Sequence, residues 1–157
     1  IKASKPNAFN INTSILSILY HTIECIDGWQ SELTSNNQSI LISVSNNLGL
    51  FDRDLNRIKK TPWKFECIYD MCWLSTLSNF IVITDKKKVY RIHETTLSIE
   101  RIYGIEENDW LSCTYSDTDL YLTICETGSN IFQFKLLPLI RPVEQWQPPR
   151  DRNGAAE

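Results

Sequence analysis

Three apolar, β-branched-rich stretches recur along the chain: SILISVS from Ser39, FIVIT from Phe80 and LYLTIC from Leu120. Each is followed by a short polar turn and a second run, NLGLFD from Asn47, KVYRIH from Lys88 and NIFQFK from Asn130. Both runs repeat at an interval of about 40 residues. A unit that short, with room for about four strands, cannot bury its own apolar face. It must stack against a copy of itself, so the period constrains the architecture more than any single residue does.

The stacked unit of that size built from strands is a β-propeller blade. The fold class predicted is all-β, a partial β-propeller of about three four-stranded antiparallel blades with partial strands at both ends. Tryptophan supplies the predicted register. WQSELTS begins at Trp29, WLSTLS at Trp73 and WLSCTYS at Trp110, and Trp146 follows, at spacings of 44, 37 and 36 residues. Each Trp is expected to open the first strand of its unit and to pack between blades rather than sit on a binding face. This places blades at about 29–72, 73–109 and 110–146.

The stretch Cys72 to Ile102 carries one whole unit: a Trp strand, the strand Phe80 to Thr84, a lysine-tipped turn, a strand around Val89 to Ile92, and a last one around Ser98 to Tyr103. A preceding strand is expected within 15–28. There Ile11, Ile15, Leu19 and Ile26 also have approximate helical spacing, with Asn12 or Ser14 as candidate caps. Residues 1–14 are read as irregular and 147–157, Pro-rich and then polar, as a disordered tail. Asn46-Asn47, Lys86 to Lys88 and Thr127-Gly128-Ser129 are the expected hairpin turns, and Pro138 and Pro142 suit outer strands or their flanks.

The segment Ile68 to Ile92 resembles the first three strands of a WD-type propeller repeat, and Phe51-Asp52 stands where that family closes its third strand with Trp-Asp. ETGSNIFQF from Glu126 resembles the hairpin of NHL-type repeats. The resemblance spans Gly28 to Trp146 and implies blade architecture. The family's Gly-His dipeptide is absent and the later units close on Ile92-His93 and Phe134-Lys135, so its Asp-His-Ser/Thr-Trp network does not carry over. Known propellers have about four to eight blades. Three units therefore predict further blades or self-association to complete a ring.

Composition narrows the rest. A 42% hydrophobic share and five Trp in 157 residues support a packed core. No apolar run approaches the roughly 18 residues a membrane helix needs. The polar start lacks an apolar signal region, and a net charge of −3 argues against a nucleic-acid surface. Cys25, Cys67, Cys72, Cys113 and Cys125 are odd in number and irregularly spaced, which suits reduced thiols in a cytoplasmic protein. The sequons at Asn12 and Asn37 would matter only in a secreted one.

Candidate chemistry is thin. Asp52-Arg53-Asp54-Leu55-Asn56 opens like a calcium loop, but Arg57 replaces its Gly and Trp63 its terminal Glu, which leaves a polar turn. Cys67 and Cys72 lack a partner pair for zinc. His21 and His93 stand in no nucleophile motif, and Arg53, Arg91 and Arg141 recur only loosely at blade spacing. No catalytic, metal or cofactor site is predicted. The expected function is a protein–protein interaction scaffold without catalysis, bound to no membrane. Its candidate contact loops are Lys86, Lys87 and Lys88, and Glu106, Glu107 and Asp109. The alternatives are part of a propeller hydrolase or a secreted ligand- or carbohydrate-binding propeller.

Overall fold

The computed structural model describes residues 32–85, 87–103, 105, 108–116, 118–124, 130–136 and 141–147. Their strands form three four-stranded antiparallel sheets, each running in chain order from inner to outer strand. The first holds β1 (Leu33–Ser35), β2 (Ser39–Val44), β3 (Asn47–Asp52) and β4 (Arg57–Pro62). The second holds β5 (Ile68–Leu74), β6 (Asn79–Thr84), β7 (Val89–His93) and β8 (Ile99–Arg101). The third holds β9 (Trp110–Ser116), β10 (Asp119–Ile124), β11 (Ile131–Lys135) and β12 (Arg141–Trp146). The fold is all-β, as the period requires.

Alternation within the strands divides the core into two seams. Phe80 and Val82 of β6 point toward the first sheet, where they meet Leu41, Leu48 and Leu50. Ile81 and Ile83 point the other way and meet Leu120, Leu122 and Trp110 of the third. All six residues of β6 are buried because both of its faces are covered, which explains its unbroken apolar run. The outer strands β4 and β12 are almost wholly exposed.

Tryptophan does not mark one register. Trp110 opens β9 and pairs with Ile124, whereas Trp73 is the next-to-last residue of β5 and pairs with Phe80 beside the hairpin. By strand pairing Ile68 is the counterpart of Trp110, and Tyr115 that of Trp73. The two Trp share a face but lie at opposite ends of their strands. The second sheet accordingly begins at Ile68, five residues before Trp73. The 37-residue spacing of the two Trp, short of the 40 residues between the starts of β6 and β10, and unequal hairpins together cause the slip. β5 and β6 are joined through a 3-10 turn, Ser75–Leu77, ended by a left-handed Ser78, while β9 and β10 are joined by only residues 117–118.

Trp146 does not open a further unit. It is the last residue of β12 and stacks on Tyr121 with ring centroids 5.6 Å apart. The first hairpin turn is Ser45-Asn46, not Asn46-Asn47, and Ser45 takes the left-handed conformation at φ 51°. Pro142 lies on the outer strand, as its missing N–H demands. The Asp52 carboxylate accepts the amides of Asp54 and Asn56, so the calcium-like motif is a side-chain-capped turn. Trp29, the strand expected at 15–28, the segment 1–14, His21, Cys25, Cys125 and residues 148–157 lie outside the described residues.

Pairing also exposes a repeat that the sequence hides. Glu32, Asp70 and Ser112 occupy corresponding places opposite Ser43, Ile83 and Thr123 of the second strands. The Asp70 carboxylate accepts the Ser112 hydroxyl at 2.7 Å and the Cys113 amide at 2.8 Å, joining the inner strands of the second and third sheets. Burial, with the charge of Asp70 beside it, raises the Glu32 carboxyl above its ordinary range. Cys113 pairs with the Cys72 thiol across the same seam. That hydrogen bond, together with burial, holds Cys113 well above the usual thiol range, which marks it as an unreactive filler.

Candidate interaction surface

Antiparallel meandering places the ends of β4 and β8 and the starts of β5, β7 and β9 at one end of the stacked sheets. Pro62 stops β4 there, and the chain turns through Trp63, Lys64, Phe65 and Glu66 into β5. Trp63 folds inward, is buried, and donates its indole N–H to the Glu66 carbonyl at 2.7 Å. Phe65 remains 44% exposed, although its ring centroid lies 4.6 Å from that of Tyr90. Trp63 packs edge-on to both, at 5.0 Å and 5.5 Å. Tyr103 is 76% exposed, with the Arg101 guanidinium carbon 5.3 Å from its ring centroid.

One carboxylate organises the base of this cluster. Glu66 accepts the Lys88 ammonium at 2.6 Å and the Tyr90 hydroxyl at 3.2 Å. The Lys88 bond holds its pKa below the ordinary carboxylate value, against the opposing effect of burial. Burial, reinforced by the Glu66 charge, pushes Tyr90 up to about 12. Glu66 therefore stays ionised and Tyr90 protonated at neutral pH. Neither is set to exchange a proton there, and what the cluster presents is a fixed pattern of aromatic area, guanidinium and ion pair.

Of the predicted contact residues, Lys87, Lys88 and Asp109 are described and fall at this same end, but not as two independent loops. Lys88 is drawn into the fold by Glu66. Lys87, at φ 63° in the turn between β6 and β7, reaches Asp109 at 3.2 Å, so the lysine turn and the acidic loop are tied to each other. Lys86, Glu106 and Glu107 lie outside the described residues. Of the other polar candidates, Arg91 is held by Glu100 across β7 and β8 at 2.6 Å, and His93 is exposed at the end of β7.

Sequence reasoning missed Phe65, Tyr103 and Arg101. The available signal was Trp63-Lys64-Phe65, a dense aromatic run directly after a proline and between two strand patterns, where a purely solvating linker would be polar.

No family model matches the chain, and no curated protein does. Solved structures do. The Nup159 N-terminal domain aligns with 74% of this chain and 30% of its own at 10% identity and TM-score 0.50. Kluyveromyces lactis Hsv2 aligns with 76% of this chain and 37% of its own at 11% identity and TM-score 0.55. The same 74% aligns with a Saccharomyces cerevisiae structure described as Dbp5 bound to Nup159 with Gle1, at TM-score 0.51 and 10% identity. These are β-propellers, and at such identity the likeness is one of fold. The chain spans about a third of the length of the propellers it matches.

Proposed function

We propose that the chain is an arc of a β-propeller that works as a protein-interaction scaffold without catalysis of its own, in outline like a WD-type repeat protein. The observation that carries this reading is the cluster of Phe65, Tyr90, Tyr103 and Arg101 at one end of the stacked sheets. Aromatic and arginine side chains supply most of the energy at protein interfaces, and here Phe65 and Tyr103 stand exposed, with the half-buried Arg101 beside Tyr103 and the buried Tyr90 as their base. The loops of Lys86 and Lys87 and of Glu106, Glu107 and Asp109 would rim that surface and steer approach more than add affinity. The solved complex of Nup159 with Dbp5 is consistent with a propeller in such a role. Further blades, or a second copy of the chain, would complete the ring; the modest share of the matched propellers covered by this chain supports that.

The test is site-specific photocrosslinking in native lysate, with the crosslinker at Phe65 and, as a control, at the exposed Thr96 in the turn between β7 and β8, at the opposite end of the stack. A discrete adduct from Phe65 that disappears in Tyr103→Ala, with none from Thr96, is the expected result. Adducts indifferent to Tyr103, or turnover of glycoside or ester substrates by the purified chain, would overturn it.

A further inference from the structure

The outer edge of the first sheet carries a charge unlike the rest of the molecule. Between residues 53 and 64 stand Arg53, Arg57, Lys59, Lys60 and Lys64 against the single acid Asp54, a net +4 in a chain of net charge −3, so everything outside carries −7. Little of this charge is neutralised. Among the described residues none of these five cations pairs with a carboxylate: Arg53 donates to the Asn37 carbonyl and Lys59 to the Thr95 carbonyl. Arg57, Lys59 and Lys60 lie on β4 and Arg53 and Lys64 flank it; among the described residues β4 pairs only with β3 and leaves its other edge open.

Register distributes the charges on both sides of that edge. Lys59 pairs with Leu50 and so leans toward the second sheet, while Arg57 and Lys60, opposite Phe51 and Gly49, lean away. The ring of Phe51 covers Gly49, where an added Cβ would come within 2.6 Å of it, so this face is flat beneath the two cations. Ile58 is the extra residue of a bulge and is 52% exposed. With Leu50 and Lys59 it lines a cleft of about 290 Å³ that reaches Glu94 and Thr95 of the second sheet.

Lysines alone on an edge strand have a plainer role, since they discourage edge-to-edge aggregation. That role does not account for an exposed Ile beside a cleft, or for five cations against one acid within residues 53–64 of an acidic chain. We infer that the β4 edge is a docking strand for an extended acidic peptide segment. The segment would add a fifth strand to the first sheet, place carboxylates on Arg57, Lys59 and Lys60, and seat an apolar side chain on Ile58. An extended peptide matches both the open backbone ladder and the alternating cations. A nucleic acid or a lipid surface uses only the charge. This inference rests on the reading of the chain as a protein-binding propeller, but it assigns a second surface, along the side of the sheet rather than at its end.

The experiment uses the full chain and a fluorescein-labelled peptide of three Glu-Glu-Val-Ser repeats, which puts carboxylates on both faces of an extended strand, followed by fluorescence anisotropy. Binding is expected to weaken as salt rises and the Debye length shrinks from about 8 Å at roughly 0.15 M toward about 3 Å at roughly 1 M. It should fall at least about tenfold in K59E/K60E, with circular dichroism unchanged, and be retained in K135E on the third sheet and in F65A/Y103A. The same peptide N-methylated at alternate residues keeps its charge but cannot complete the ladder, and should bind at least about tenfold more weakly. Equal binding of the N-methylated peptide, or equally tight lysine-dependent binding of oligothymidylate or phosphatidylserine vesicles, would overturn the inference. So would absence of peptide binding while Phe65-dependent crosslinking persists; that outcome leaves the scaffold reading standing, and the reverse pair of results defeats the scaffold reading alone.

Discussion

The two seams of this molecule are built from the same strand pattern but end differently. The seam between the second and third sheets is closed. Trp110 is 1% exposed, with Phe132 and Phe134 edge-on to it, and polar pairs fasten its margins: Asp70 with Ser112 and the Cys113 amide, Thr76 with Tyr115 at 2.8 Å, Lys87 with Asp109. Among the described residues the seam between the first and second sheets is fastened at one end only. There Asn36 and Ser39 donate to the Glu94 carboxylate at 2.5 Å and 2.9 Å. At the other end its aromatic core runs out from Trp63 through Tyr90 to Phe65 at the surface. Two seams of one fold can thus divide the work, one giving up surface for rigidity and the other keeping apolar area in reach of a partner.

The largest effects should come from emptying either seam. Trp110→Ala and Phe80→Ala are each expected to cost about 3–5 kcal/mol in urea unfolding. The contrast predicts that Trp110→Ala strips hydrogen-exchange protection from β9 to β11 before β2 and β3, and that Phe80→Ala exposes both β2 and β6. Uniform loss of protection in both variants would mean one cooperative unit and would dissolve the distinction. Asp70→Ala should cost about 2–3 kcal/mol, because the Cys113 amide and Ser112 hydroxyl lose a charged acceptor; the loss should fall on the third sheet.

Glu66 provides a pH test of the open seam. Its pKa is lowered in the fold, so its contribution is present above the unfolded carboxylate value and disappears as pH falls through the folded one. Glu66→Gln should cost about 1–2 kcal/mol at pH 7 and flatten the loss of stability below pH of about 4, read from melting curves across that range. The smallest effect should be that of Arg91→Ala. Its ion pair with Glu100 is about half exposed on both sides and lies in neither seam, so a change within about 0.5 kcal/mol is expected.

Much of the fold was legible because strand patterning is local. The runs at Ser39, Phe80 and Leu120 became β2, β6 and β10, whose first residues Ser39, Asn79 and Asp119 keep the period. The tryptophans misled because a Trp reports burial, not where along a strand it lies. With unequal hairpins before β6 and β10 and a Trp spacing three residues short of the strand period, Trp73 and Trp110 reach the same face from opposite ends. Lys88 looked like a solvated turn residue because Glu66, which claims it, lies 22 positions away. Phe65 and Tyr103 were invisible as a pair for the same reason, being brought together only around Tyr90.

What the sequence by itself determined is the repeating strand meander and the need for each sheet to lean on another, since the pleat fixes which residues face which way. Tertiary structure alone decided which charges are consumed inside, which aromatic residues reach solvent together, and which strand edge, among the described residues, is left open with no carboxylate on its cations. Those outcomes depend on distances across the stack, and spacing along the chain does not encode them.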